Sequence, residues 1–208
     1  MALSKGKRIT IFVIVLLVID QVSKILVKTH MTIGQSINVF GDWFQIYFVE
    51  NVGMAFGMSF GGAVGKLLLT VLRIALGIAI LIYIRRLLTR DDVPTGVLYG
   101  LAAIMCGAFG NIFDSMFYGL VFSESGFTEV ATMFPEGGGY AGLFFGKVVD
   151  MLYFPIIDTT LPDWLPIWGG KPFRFFSAIF NFADSCITVG AFYLIFFQWR
   201  FFTRKDSE

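Results

Sequence analysis

Apolar residues run almost unbroken through four windows, about 9–28, 65–84, 96–117 and 177–198, each close to the roughly 20 residues a helix needs to cross a bilayer core. They predict four membrane-spanning helices joined by a short connection around Arg85 to Thr95 and two long ones, about 29–64 and 118–176, that fall on the same side. Within the first long connection, Ile37 to Phe48 is dense in aromatic and branched residues around Gly41-Asp42, which predicts a short hairpin at the membrane surface. The second carries Gly137-Gly138-Gly139 and then Pro155, Pro162, Pro166 and Pro172, a composition that predicts irregular structure and not a fifth span. No internal repeat divides the chain. The expected fold is a mainly α membrane protein: one domain over residues 1–208, a four-helix bundle with a small β element and extended irregular segments on the extracytoplasmic side.

Composition agrees with lipid as the solvent: of 208 residues, 56% are hydrophobic and only 15% charged, too apolar for one soluble core to hide. The net charge of +1 matters less than where the cations fall. Lys5, Lys7 and Arg8 precede the first helix, Arg85, Arg86 and Arg90 follow the second, and Arg200, Arg204 and Lys205 follow the fourth. All three clusters lie on one face, which the positive-inside rule makes cytoplasmic, with both termini. Lys28, Lys147, Lys171 and Arg174 are scattered over the outer connections, and Trp43, Trp164, Trp168 and Trp199 fall at interface positions. The basic start and apolar run imitate a cleavable leader, but Asp20-Gln21-Val22-Ser23-Lys24 interrupts the run and no small-residue cleavage site follows, so a retained helix is expected. Cys106 and Cys186 lack metal or redox spacing and read as small core residues; no nucleic-acid footprint is visible.

Charged groups within a span are costly and normally face a bundle interior or a watery cavity. Asp20 and Lys24 lie in the outer half of the first helix, Arg73 about two turns into the second, Asn111 and Asp114 near the outer end of the third, and Asn181 and Asp184 in the first turns of the fourth. All four helices thus place polar residues at one depth near the outer face. Asn111 and Asp114, like Asn181 and Asp184, stand three apart, so each helix presents an amide beside a carboxyl on one side. Two carboxyls meeting in a desolvated cleft share a proton, which allows one to act as base on water while the other donates. The bland readings stand beside this one: Asp20 and Lys24 as an intrahelical ion pair, Arg73 as a neutralising group, and Asp114 and Asp184 as polar packing.

Four motifs occur in order: Asn51-Val52-Gly53-Met54-Ala55-Phe56-Gly57, Gly110-Asn111-Ile112-Phe113-Asp114, Val148-Val149-Asp150 and Phe180-Asn181-Phe182-Ala183-Asp184-Ser185. Together with Asp20-Gln21 and Lys24 they resemble bacterial lipoprotein signal peptidase, also called signal peptidase II. The resemblance implies an intramembrane aspartyl endopeptidase of the bacterial cytoplasmic (inner) membrane. It would remove the signal peptide of a prolipoprotein by cutting before a diacylglyceryl-modified cysteine, without metal or cofactor and in contact with membrane lipid. It further implies Asp150 and Asp184 as the catalytic pair, with Asp20, Lys24, Asn51, Gly53, Asn111, Asp114 and Asn181 supporting, and sensitivity to globomycin-type inhibitors. The depth pattern alone finds Asp184 but ranks Asp114 above Asp150.

Three features depart from the family pattern. Ser115 stands where an Arg is usual, and Arg174 or Arg73 is a candidate substitute; the stretches at about 118–147 and 152–176 are extended. Asp158 and Asp163 fall in the second of these and read as surface turns. Gly61-Gly62-Ala63-Val64-Gly65-Lys66 imitates a phosphate loop with the wrong spacing, Gly96 and Gly100 form a helix-packing pair, and His30 lacks the partners of a triad. The rival class is a small proton-coupled transporter or subunit using Asp20, Asp114 and Asp184 as a relay, which predicts midplane sites and repeated halves.

Overall fold

The computed structural model describes residues 3–52 and 62–203, so Gly53 and Gly57 of the first loop motif and the terminal Arg204 and Lys205 lie outside the described residues. Helix α1 spans Lys5–His30, with the Ser4 side chain accepting from the Lys7 N–H as its cap. Helix α2 spans Gly62–Leu88; α3 spans Thr95–Phe113 and continues through a π turn, Asp114–Tyr118, into the short α4, Gly119–Val121. These three helical stretches are long and apolar enough to cross a membrane. Helix α5, Phe182–Phe197, is apolar but only 16 residues, about 24 Å at the usual rise. It begins at Phe182 and not near 177, because Ile179–Phe180 is a strand, β6, and Asn181 is the helix cap. The short α6, Trp199–Thr203, follows.

The predicted hairpin is present as β1, Ser36–Phe40, and β2, Phe44–Asn51, turning at Gly41 with φ +50°. The second long connection departs from expectation, since it holds β3 (Val148–Tyr153), β4 (Ile157–Thr160) and β5 (Pro172–Phe175). The prolines do not oppose strands there: Pro155 links β3 to β4, Pro172 begins β5 of a two-stranded ribbon, and Pro162 and Pro166 occupy its tip. An antiparallel sheet of order β1-β2-β3-β6 results, and β3 draws its strength from Val149 and Met151, both buried.

Two apolar cores flank a polar layer. One joins Ile9 of α1, Ile84 and Leu87 of α2, Val97, Leu98 and Leu101 of α3 and Leu194 of α5. The other joins Val27 and Met31 with Phe48, Tyr118, Phe122 and Val149, where helix ends meet the sheet. Between them α3 and α5 touch almost backbone to backbone: a Cβ at Gly107 would collide with the Ala183 carbonyl, and one at Gly110 with the Asp20 carboxylate. Gly107→Ala is therefore expected to cost about 1–3 kcal/mol, read as a lowered Tm in detergent. An unchanged Tm would show that the seam can open without penalty.

Candidate active site

The polar layer is organised by Lys24, which has no solvent exposure. Its Nζ lies 2.9 Å from Asp20 and 2.8 Å from Asp114, and donates to Asn111 Oδ1 at 2.9 Å. One ammonium therefore faces two carboxylates on different helices, with its three donors all used. Gln21 completes the bridge: its Nε2 donates to Asp20 at 3.0 Å and to Asp114 at 2.9 Å, while its carbonyl accepts from the Tyr118 hydroxyl. Asp20 also accepts the Ala183 N–H at 2.9 Å, satisfying one of the unpaired donors at the start of α5.

The other carboxylates sit above this layer. Asp184 and Asn181 form a reciprocal capping box: the Asp184 N–H donates to Asn181 Oδ1 and the Asn181 N–H to Asp184 Oδ2. Asn111 Nδ2 donates to Asp184 Oδ1 at 2.8 Å. Asp150 enters from β3, opposite Val49 of β2, and accepts from Asn181 Nδ2 at 2.7 Å and from the Asn51 side chain. Asn181 thus holds both acids, Asp150 by its side chain and Asp184 by its backbone. Burial first, and the neighbouring Asp184 second, push the Asp150 carboxyl up to about 7. Asp150 is 4% exposed and Asp184 half-buried.

A second ionic cluster stands on the opposite face of β2. Lys28 is buried against Glu50 and donates to Ser125 Oγ at 2.8 Å, and Lys147 reaches Glu50 at 3.1 Å and Glu124 at 2.8 Å. Burial alone would raise the Glu50 carboxyl; Lys28, Ser125 and Lys147 together hold it below its ordinary value. Its neighbour in the strand, Asn51, points the other way, toward Asp150. Lys28 is thus not a scattered loop charge, and its four-residue spacing from Lys24 on one helix face is the signal that could have found it. Gln21 and Tyr118 are further members that spacing did not single out.

Of the expected residues, Asp20, Lys24, Asn51, Asn111, Asp114, Asp150, Asn181 and Asp184 form one connected hydrogen-bonded and ionic network; Gly53 lies outside the described residues. Arg174 does not replace the missing Arg: it is exposed and pairs with Asp158, which lies in β4 and not in a turn. Arg73 is half-buried on α2, and the acids acting most strongly on it are Asp184 and then Asp150. The Ser115 hydroxyl donates to the Asn111 carbonyl, and the Ser115 carbonyl accepts from Gly146 of the first extended stretch, which packs against the backbone of the π turn. Among the described residues no group of His, Cys, Asp and Glu could hold a metal ion.

A helical membrane protein with clustered carboxylates beside a small antiparallel sheet is the class these observations define. The family model described as Signal peptidase (SPase) II matches residues 12–200. The lipoprotein signal peptidase of Porphyromonas gingivalis is 48% identical over 194 residues, covering 93% of this chain and 83% of that one. That of Amoebophilus asiaticus is 36% identical over 176 residues, covering 83% and 70%. A solved structure described as a bacterial membrane enzyme shares the fold, with a TM-score of 0.59 at 21% identity over 97% of this chain and 94% of that one. The chain belongs to the signal peptidase II family, a family of peptidases. This membership disfavours the transporter alternative.

Proposed function

We propose that this chain is an aspartyl endopeptidase of the bacterial cytoplasmic membrane that removes signal peptides from prolipoproteins, cutting before a diacylglyceryl-modified cysteine. The observation that carries the reading is Asp150 and Asp184 held together by Asn181, on a strand and a helix cap that the long connections bring to one end of the bundle. Asp184 takes a proton from water as its oxygen attacks the scissile carbonyl, and Asp150 protonates the carbonyl oxygen; the roles reverse as the amine leaves. Asn51 and Asn111 hold the carboxylates and stand near the developing oxyanion. Lys24, Asp20 and Asp114 support them from below by fixing Asn111 and the start of α5.

The whole of residues 1–208 acts as one unit, with α5 as a fourth, short span and both termini cytoplasmic, as the positions of Lys5, Lys7, Arg8, Arg85, Arg86 and Arg200 favour. The site then opens to the outer face, where prolipoproteins, membrane lipid and globomycin-type inhibitors reach it. Purified protein should cleave a diacylglyceryl-modified precursor and leave the unlipidated one intact, with globomycin stopping the reaction. Equal cleavage of both precursors would remove the lipid requirement, and no cleavage by folded protein would remove the peptidase reading.

The pH dependence follows from Asp150. Because its carboxyl titrates near 7, the proton needed for the acid role is held below that pH and lost above it. The expected profile of kcat/KM falls about tenfold per pH unit on the alkaline side of about 7. A rate that stays flat across that region would show that Asp150 does not supply the proton.

A further inference from the structure

We propose that a groove beside the carboxylate pair receives the polypeptide on the mature side of the scissile bond, the part of a precursor that follows its cysteine; this rests on the peptidase reading above. The groove has a volume of about 880 Å³, within the size range of ligand sites. One wall is β2, whose alternate residues Gln45, Tyr47 and Val49 all line it. The next residue in that alternation is Asn51, which bonds Asp150, so the same strand face leads from the groove to the carboxylates. Tyr153 of β3, the cross-strand partner of Gln45, lies in the same lining. The facing wall comes from the second extended stretch, where Asp158 and Arg174 form an exposed ion pair across the β4–β5 ribbon.

The chemistry of this lining fits a polypeptide better than an acyl chain. Tyr47 and Tyr153, packed edge to face at 5.8 Å, offer aromatic surface, and Gln45, Asp158 and Arg174 offer donors and acceptors for backbone amides. The signal segment and the two acyl chains of a substrate partition into lipid, because transfer of apolar surface out of water drives them there. The segment beyond the cysteine must instead leave the bilayer at the end of the bundle where the sheet stands. The face of β2 that starts at Asn51, beside Asp150, and runs on through Val49, Tyr47 and Gln45 under a polar wall is placed to take it.

The test compares two lipidated substrates with wild-type protein: a full-length diacylglyceryl-modified precursor, and a lipopeptide truncated just after the modified cysteine. The long substrate is expected to have a kcat/KM about tenfold higher, the size of effect one or two buried tyrosine contacts supply. In Tyr47→Ala/Tyr153→Ala the ratio of long to short falls by about the same factor. Asp158→Ala/Arg174→Ala, which alters only exposed side chains, lowers that ratio in the same direction and serves if the tyrosine variant does not fold. Equal kcat/KM for both substrates in the wild type, or a ratio unchanged in both variants, overturns the groove's role while leaving the peptidase intact. A ratio that follows the lipid headgroup supplied and not peptide length assigns the groove to lipid and likewise overturns it. Failure of folded wild type to cleave either substrate defeats the underlying peptidase reading instead.

Discussion

Asp150→Asn and Asp184→Asn are each expected to reduce cleavage of a lipidated precursor by on the order of 10³-fold or more, with little change in Tm. Asn keeps the volume of Asp but cannot carry the proton through the cycle. At position 184 the variant's Oδ1 can still accept the Asn181 N–H, so the capping box that starts α5 is kept. At position 150 the hydrogen bond from Asn181 Nδ2 can be kept in the same way, and a buried group whose carboxyl is pushed up to about 7 loses its acidity without gaining a desolvated charge. Turnover by purified variants, normalised to folded protein, checks this. Full activity in Asp150→Asn would leave the family membership untouched but move the proton donor elsewhere.

The largest effect on stability is expected from Lys24→Met. The substitution leaves the Asp20 and Asp114 carboxylates buried together without their cation, and removes the donor that orients Asn111. Breaking one partner out of a buried ionic group costs about 3–5 kcal/mol. Tm in detergent should fall accordingly, and activity with it, because Asn111 holds Asp184. Asp114→Asn, which removes one of the two competing carboxylates, should cost much less. Equal losses in the two variants would show that Lys24 pairs with Asp114 alone and that Asp20 contributes nothing.

The spans were legible because bilayer thickness forces a long apolar run, and α1, α2 and the stretch from Thr95 to Val121 all contain their expected windows. The start of α5 was not legible: Phe175 to Phe180 is as apolar as the helix itself, and only the sheet partners of β6, Leu152 and Tyr153, decide that Ile179 and Phe180 extend as strand. Likewise β3 to β5 were hidden behind glycines and prolines that turned out to lie between strands or at their edges. In the site, spacing on one helix reveals Asn111 with Asp114, because the geometry is local. Asp150 stands on a strand 34 residues before Asp184, so only its motif pointed to it; its place depends on pairing with β2, a contact across about 100 residues that no local pattern encodes.

The sharing of Lys24 by two helices bears on how the protein is assembled in the membrane. Asp20 and Lys24 are one turn apart, so α1 enters the bilayer with the counterion of its buried aspartate already on the same helix face. Asp114 comes with α3 and has no cation of its own within that helix; its stable burial waits on contact with α1. Helix α5 then starts on a donor satisfied by Asp20, a residue already committed to that contact. A nascent chain halted before α5 is therefore expected to hold its ionic layer already, with α1 docked on α3 and the Asp20 carboxylate in place for the first turn of α5.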